Sequence, residues 1–217
     1  MKEYPAKTAY QSEKSVEEYD IKRFHSLRGK IIDYLEKRAF SNCLKECTDI
    51  NSLLDVPTGT GRFAEYLLKK YNFKISVADI SQKMIDYSER RLNRFHNFER
   101  ATIGDITNLP FESNSFDMVI CVRLMGHLPD EVKIEAIREL TRISKHYIGI
   151  AFYEKSIWLS IKKKVVLFLN KNKSRWFPIK KETIKILLKE QRLVLITRNY
   201  VFRFFSECVF YLAEKKN

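Results

Sequence analysis

The chain has 217 residues, 45% hydrophobic and 31% charged, enough for one sizeable core and too few for two full α/β domains. Its longest uninterrupted apolar run is six residues, Cys208 to Ala213, and neither that nor the five from Val165 to Leu169 approaches a membrane span. The formal net charge of +13 is unevenly placed: residues 151–217 hold 16 Lys and Arg against 5 Asp and Glu, whereas residues 1–150 hold 24 against 22.

The first twenty residues lack the apolar core of a secretory signal, and the four cysteines, at 43, 47, 121 and 208, form no paired framework. Both features point to a reducing cytoplasm. Cys43 and Cys47 share a helix face, but without a second ligand pair they read as ordinary thiols and no metal is expected. Residues 16–40 have helical spacing with a break expected near Gly29. Strands and helices then alternate: strand 51–56, helix 62–71, strand 73–79, helix 82–94, strand 98–103, strand 116–122, helix 130–144 and strand 146–152. A helix over 180–190 and two closing strands, 193–201 and 205–213, complete the chain. The alternation predicts an α/β fold: a doubly wound, mostly parallel seven-stranded sheet with helices on both faces. One domain is expected, with an N-terminal helical lid over 1–48, a cofactor-binding core over 49–152, a basic insertion over 153–180 after the fifth strand, and closing elements over 181–217.

The chemistry concentrates at residues 53–61, LLDVPTGTG. A short apolar run ends in Asp55 and enters a turn with Gly59 and Gly61, directly before the helix that opens at Arg62. Glycines let the backbone approach a ligand, and the helix offers its positive N-terminus. Further along, VADISQKMID places Asp79 at a strand end with Ser81 as a helix cap, and GDITNLPF places Asp105 after the next strand.

In this order the motifs resemble the class I, Rossmann-like S-adenosylmethionine-dependent methyltransferases, over roughly residues 16–152 with a continuation to the end. The resemblance implies that Asp55, Gly59 and Gly61 hold the methionine part of S-adenosylmethionine. It implies that Asp79 binds both ribose hydroxyls beside Ile80, that Met84 packs on the adenine, and that Asp105 and the Ile106 backbone meet the adenine edge. YDIKRF, residues 19–24, resembles a lid segment, with Tyr19 and Arg23 four apart on one helix face. The chain departs from the family at Pro57, where glycine is common; proline removes an amide donor but keeps its carbonyl. The same loop also fits G-x-G-x-x-A, which makes a nicotinamide-dependent oxidoreductase the rival enzyme, though no second domain is evident. A non-catalytic or nucleic-acid-binding protein of the same fold is the other alternative, given the basic pI of 9.5.

Methyl transfer from a sulfonium needs alignment, desolvation and, for a weakly acidic acceptor, a base. His127, just beyond the fourth strand, is the candidate catalytic base, and Arg123 is the candidate substrate-binding residue for a carboxylate or phosphate. Neither the N/D-P-P-Y pattern of amino methyltransferases acting on nucleic acids nor a Pro-Cys nucleophile is present; Cys121 follows Ile120. The acceptor is therefore expected to be a small or lipid-linked molecule, methylated on oxygen, with nucleic acid ranked behind. Between Lys155 and Lys181 nine basic residues stand with no acidic one, interleaved with Trp158, Phe168, Trp176 and Phe177. That composition makes an anionic membrane surface a candidate partner and the protein cytoplasmic with a peripheral membrane option. The sequence leaves the oligomeric state open.

Overall fold

The computed structural model describes residues 13–155, 177–202 and 206–216. The core of the basic stretch expected to dock on a membrane, residues 156–176, lies outside the described residues. Two helices come first, α1 (Glu13–Phe24) and α2 (Leu27–Leu44), followed by β1 (Ser52–Asp55), α3 (Arg62–Lys70), β2 (Lys74–Asp79) and α4 (Gln82–Leu92). Then follow β3 (Phe98–Ile103), β4 (Phe116–Cys121), α5 (Asp130–Ile143), β5 (Ser144–Tyr153), α6 (Lys181–Glu190), β6 (Leu193–Tyr200) and β7 (Cys208–Lys215).

The seven strands form one sheet in the order β3-β2-β1-β4-β5-β7-β6. β1 to β5 run parallel, and β7 inserts antiparallel between β5 and β6, so the sheet is mixed with a parallel majority. Side chains of successive strand residues point to opposite faces, which divides the core in two. Leu54, Val119, Ile148 and Ile150 pack with Ala136, Ile137 and Leu140 of α5 and Ile184 and Leu188 of α6. Their neighbours Leu53, Met118, Ile120 and Phe210 pack on the other face with Phe40 of α2 and Phe63 and Leu67 of α3. This alternation covers the sheet on both faces, as continuous apolar strands require.

The expected helical break lies three residues earlier than Gly29. The chain bends at His25 and Ser26, and the Ser26 hydroxyl accepts a hydrogen bond from the Gly29 amide at 3.0 Å, capping α2. Gly29 sits in the first turn of α2 because α1 ends against it: a Cβ there would lie 2.1 Å from the Arg23 carbonyl oxygen. The last strand begins at Cys208, three residues later than expected, in register with Tyr153 of β5.

The order of strands reverses between β1 and β4. Their carboxyl ends therefore open a crevice that no crossover helix fills, the usual position of a ligand in an open α/β sheet. At the opposite edge, Asp117 accepts from the Asn51 and Ser52 amides, each at 3.0 Å, and so locks β4 to β1 and fixes the crevice below.

Candidate functional site

A cavity of about 240 Å³ opens at the carboxyl ends of β1 to β4. Residues 55–60, 62 and 63 after β1, Asp79, Ile80 and Met84 after β2, Gly104 and Ile106 after β3, and Val122, Arg123, Leu124 and His127 after β4 line it, with Tyr19 and Arg23 of α1 across the mouth. Of the site residues expected from sequence, Asp55, Gly59, Asp79, Ile80, Met84, Ile106, Arg123 and His127 meet in this one space. Gly61 and Asp105 lie outside the lining.

The turn between β1 and α3 takes its shape from its glycines. Gly59 and Gly61 have φ of 56° and 74°, in the left-handed region that glycine enters without strain. The Gly59 side is open, whereas a Cβ on Gly61 would stand 3.0 Å from the Ser88 Cβ, so Gly61 serves the packing of α3 against α4. Asp105 turns into its own loop, where Oδ1 accepts from the Thr107 amide and hydroxyl at 3.0 and 2.9 Å. The Val56–Pro57 peptide is cis, and Pro57 lines the cavity.

Two carboxylates stand on the cavity's inner side. Asp55 is 1% exposed; its Oδ2 accepts from the Thr58 hydroxyl at 3.2 Å, and its Oδ1 is buried without a hydrogen-bond partner. Burial pushes its pKa up to about 7, against the smaller lowering effect of Thr58. An orphaned buried acceptor in a cavity fits a ligand ammonium. Asp79 is held as an acceptor by the amides of Gly59 at 2.9 Å and Ser81 at 3.0 Å; burial raises its pKa, and these bonds oppose the rise. Ser81 in turn caps α4 by accepting from the Met84 amide at 3.3 Å, which sets Met84 against the cavity.

The other side is cationic. Arg123, in the left-handed region with φ of 64°, donates through Nε and Nη2 to Glu36 Oε2 at 2.8 and 2.7 Å. Glu36 projects from α2, is 2% exposed, and lies 3.8 Å from Arg62, which also pairs with Asp33. Burial raises the Glu36 pKa in spite of Arg123. The guanidinium groups of Arg62 and Arg123 lie 3.9 and 4.9 Å from the centre of the Phe24 ring, and Arg23 lies over Tyr19 at 4.9 Å. His127 ends a single 3-10 turn, Met125–His127, and its pKa is lowered by burial first, then by Arg23 and Arg123. The lowered pKa favours the neutral imidazole at physiological pH.

Helix α1 is fastened over this space. Asp20 accepts from the Thr60 hydroxyl at 2.6 Å and from Arg91 of α4 at 2.7 Å, which ties the cover to the glycine turn. Beside His127, the Phe177 amide donates to the Gly126 carbonyl at 2.8 Å, and the wholly buried Lys133 ammonium donates to the Phe177 carbonyl at 2.9 Å. Glu36 and Lys133 belong to no motif, and Asp20 lies within YDIKRF, where the lid resemblance names Tyr19 and Arg23 instead. The one sequence sign of Glu36 was a carboxylate set among Leu35, Ala39 and Phe40 on the inward face of a helix.

Residues 53–146 match the family described as "Methyltransferase domain". The chain is 31% identical over 111 residues to the ubiquinone/menaquinone biosynthesis C-methyltransferase of Rickettsia bellii, covering 47% of this chain and 44% of that one. It is 33% identical over 94 residues to the demethylmenaquinone methyltransferase of Thermotoga maritima, covering 43% of this chain and 38% of that protein. These matches span less than half the length of either relative. The fold is similar to that of magnesium protoporphyrin IX methyltransferase from Synechocystis with bound S-adenosylhomocysteine, with a TM-score of 0.71 at 18% identity over 88% of each chain. Residues 53–146 thus match a methyltransferase domain, and the strand order, the glycine turn and the acidic residues at the ends of β1 and β2 stand on a fold similar to that of a solved methyltransferase.

Proposed function

We propose that the protein binds S-adenosylmethionine in the cavity and transfers its methyl group to a small or lipid-linked acceptor. The observation that carries the reading is the unpartnered Oδ1 of buried Asp55 in a cavity whose other wall holds a base. Asp55 would take the cofactor's ammonium, Asp79 the ribose hydroxyls, and Met84 and Ile106 the adenine. Bound there, the cofactor supplies an electrophilic methyl group on a sulfonium. The backbone of Gly59 approaches without steric cost, and Val122, Leu124 and Phe63 exclude water from the reacting space.

At the acceptor end, neutral His127 is suited to take a proton from the acceptor as the new bond forms. Arg123, oriented by Glu36, would draw an anionic group of the acceptor, and its charge adds to burial in lowering the His127 pKa. Oxygen is the acceptor atom this base suits. The relatives named C-methyltransferase and demethylmenaquinone methyltransferase favour a second reading, a carbon made acidic by a neighbouring carbonyl, which needs the same base. The methyltransferase-domain match and the methyltransferase relatives favour this reading over the nicotinamide alternative.

Calorimetry with S-adenosylmethionine, S-adenosylhomocysteine and NAD tests the reading. Both adenosyl ligands are expected to bind and NAD is not. Asp79→Ala should weaken them by about 1.5 to 3 kcal/mol, the usual worth of hydrogen bonds to a charged group. Binding of NAD with no binding of the adenosyl ligands would overturn it.

A further inference from the structure

We propose that the outer face of α2 docks on an anionic bilayer surface and sets the covered mouth of the cavity at the membrane. Leu27, Ile31 and Tyr34 are 76%, 50% and 63% exposed, and Ile21 of α1 is 56% exposed. These four are half of the large exposed apolar side chains among the described residues, and they fall within fourteen consecutive positions. On a helix, positions 27, 31, 34 and 38 lie along one side. The stripe therefore continues from three apolar side chains to exposed Arg38, and exposed Arg28 and Lys30 flank it on either side. The helix already satisfies its own core on the opposite side through Ala39, Phe40, Cys43 and Leu44, so the outer stripe adds nothing to folding.

Charge selects the occupant. Between Leu27 and Arg38 the exposed residues include three cations and no acid; Asp33 is engaged with Arg62 and Lys37, and Glu36 is buried. A second copy meeting this face by a two-fold axis would set like charges against one another. A nucleic acid would leave Leu27, Ile31 and Tyr34 without a partner. An anionic bilayer satisfies both properties: its surface potential attracts the cations, and its interfacial region takes shallow apolar and tyrosine side chains. Because α1 brings Tyr19 and Arg23 to the cavity and α2 brings Glu36 to Arg123, docking through this pair would bring a lipid-linked acceptor to the cavity directly. That last step rests on the methyltransferase reading; the docking itself does not.

The experiment is co-sedimentation of the full chain with vesicles of phosphatidylcholine alone and of equimolar phosphatidylcholine and phosphatidylglycerol. The parent should bind the anionic vesicles and release them at high salt. A variant with Leu27→Ser, Ile31→Ser and Tyr34→Ser, and a second with Arg28→Gln, Lys30→Gln and Arg38→Gln, should each bind more weakly by about tenfold or more. Binding by both variants equal to that of the parent, or none by the parent, overturns the proposal. So does a parent dimer that the serine variant converts to a monomer, which makes the face an interface between copies. A clear fall in melting temperature of the serine variant also overturns it, since the chain itself then covers the face. S-adenosylhomocysteine affinity, measured on the same three proteins, should be unchanged, so the docking and the methyltransferase reading fail separately.

Discussion

Asp55→Asn tests the electrostatics of the site most directly. In the folded chain Asp55 titrates at about 7, against 3.8 for a free side chain, because burial disfavours its charged form. Between those values the native state holds a proton that the unfolded state has released. Stability from this group is therefore complete below about pH 4 and is lost as pH rises through 7. At about 1.4 kcal/mol per unit, the full loss is about 4 kcal/mol, and the part between pH 5 and pH 8 is about 3 kcal/mol. Asparagine fills the same volume without ionising. Relative to the parent, the variant should gain about 3 kcal/mol between pH 5 and pH 8, or roughly 5 to 10 °C in Tm for a chain of this size. Thermal denaturation of both proteins without ligand across that range gives the difference, which removes the contributions of all other titrating groups. The same substitution should weaken S-adenosylhomocysteine binding at pH 8, where the parent's carboxylate is ionised and meets the ligand ammonium. Parallel pH profiles for the two proteins would refute the reasoning, because Asp55 would then ionise in the folded chain as it does in water.

His127→Ala should lower turnover by about 10² to 10⁴ while leaving cofactor affinity unchanged, and the parent's rate should hold as pH falls through 6.5 and decline only below it, as the depressed pKa requires. Steady-state rates against pH, with calorimetry of the cofactor, check both. Glu36→Gln leaves Arg123 and Arg62 without their shared buried partner and should cost about 3 to 5 kcal/mol in urea unfolding. Gly29→Ala drives a Cβ into the Arg23 carbonyl and should cost about 1 to 3 kcal/mol, with α1 displaced from the cavity mouth and cofactor affinity reduced.

The alternation of strands and helices was legible because each buried strand is a short apolar run and each helix keeps its apolar residues to one side, patterns local to a few residues. The glycine turn at 59–61 and the acidic residues ending β1 and β2 were legible for the same reason: each stands at a boundary where the period changes. Sequence alone thus determined the α/β class, the order of elements and the position of Asp55, Gly59 and Asp79 at strand ends. It placed the helical break near Gly29, a residue that local rules favour for a break. The structure puts it at Ser26, since Gly29 answers to a backbone from the preceding helix that no local pattern contains. The antiparallel insertion of β7 between β5 and β6 is likewise a matter of pairing between distant segments. Only the tertiary structure joined Arg123 to Glu36 across 87 positions and Thr60 to Asp20 across 40, and turned Asp105 into its own loop. Charges are written in the sequence, but their partners are set by which faces the packing buries together, and burial decides whether a carboxylate such as Asp55 holds its proton near neutral pH.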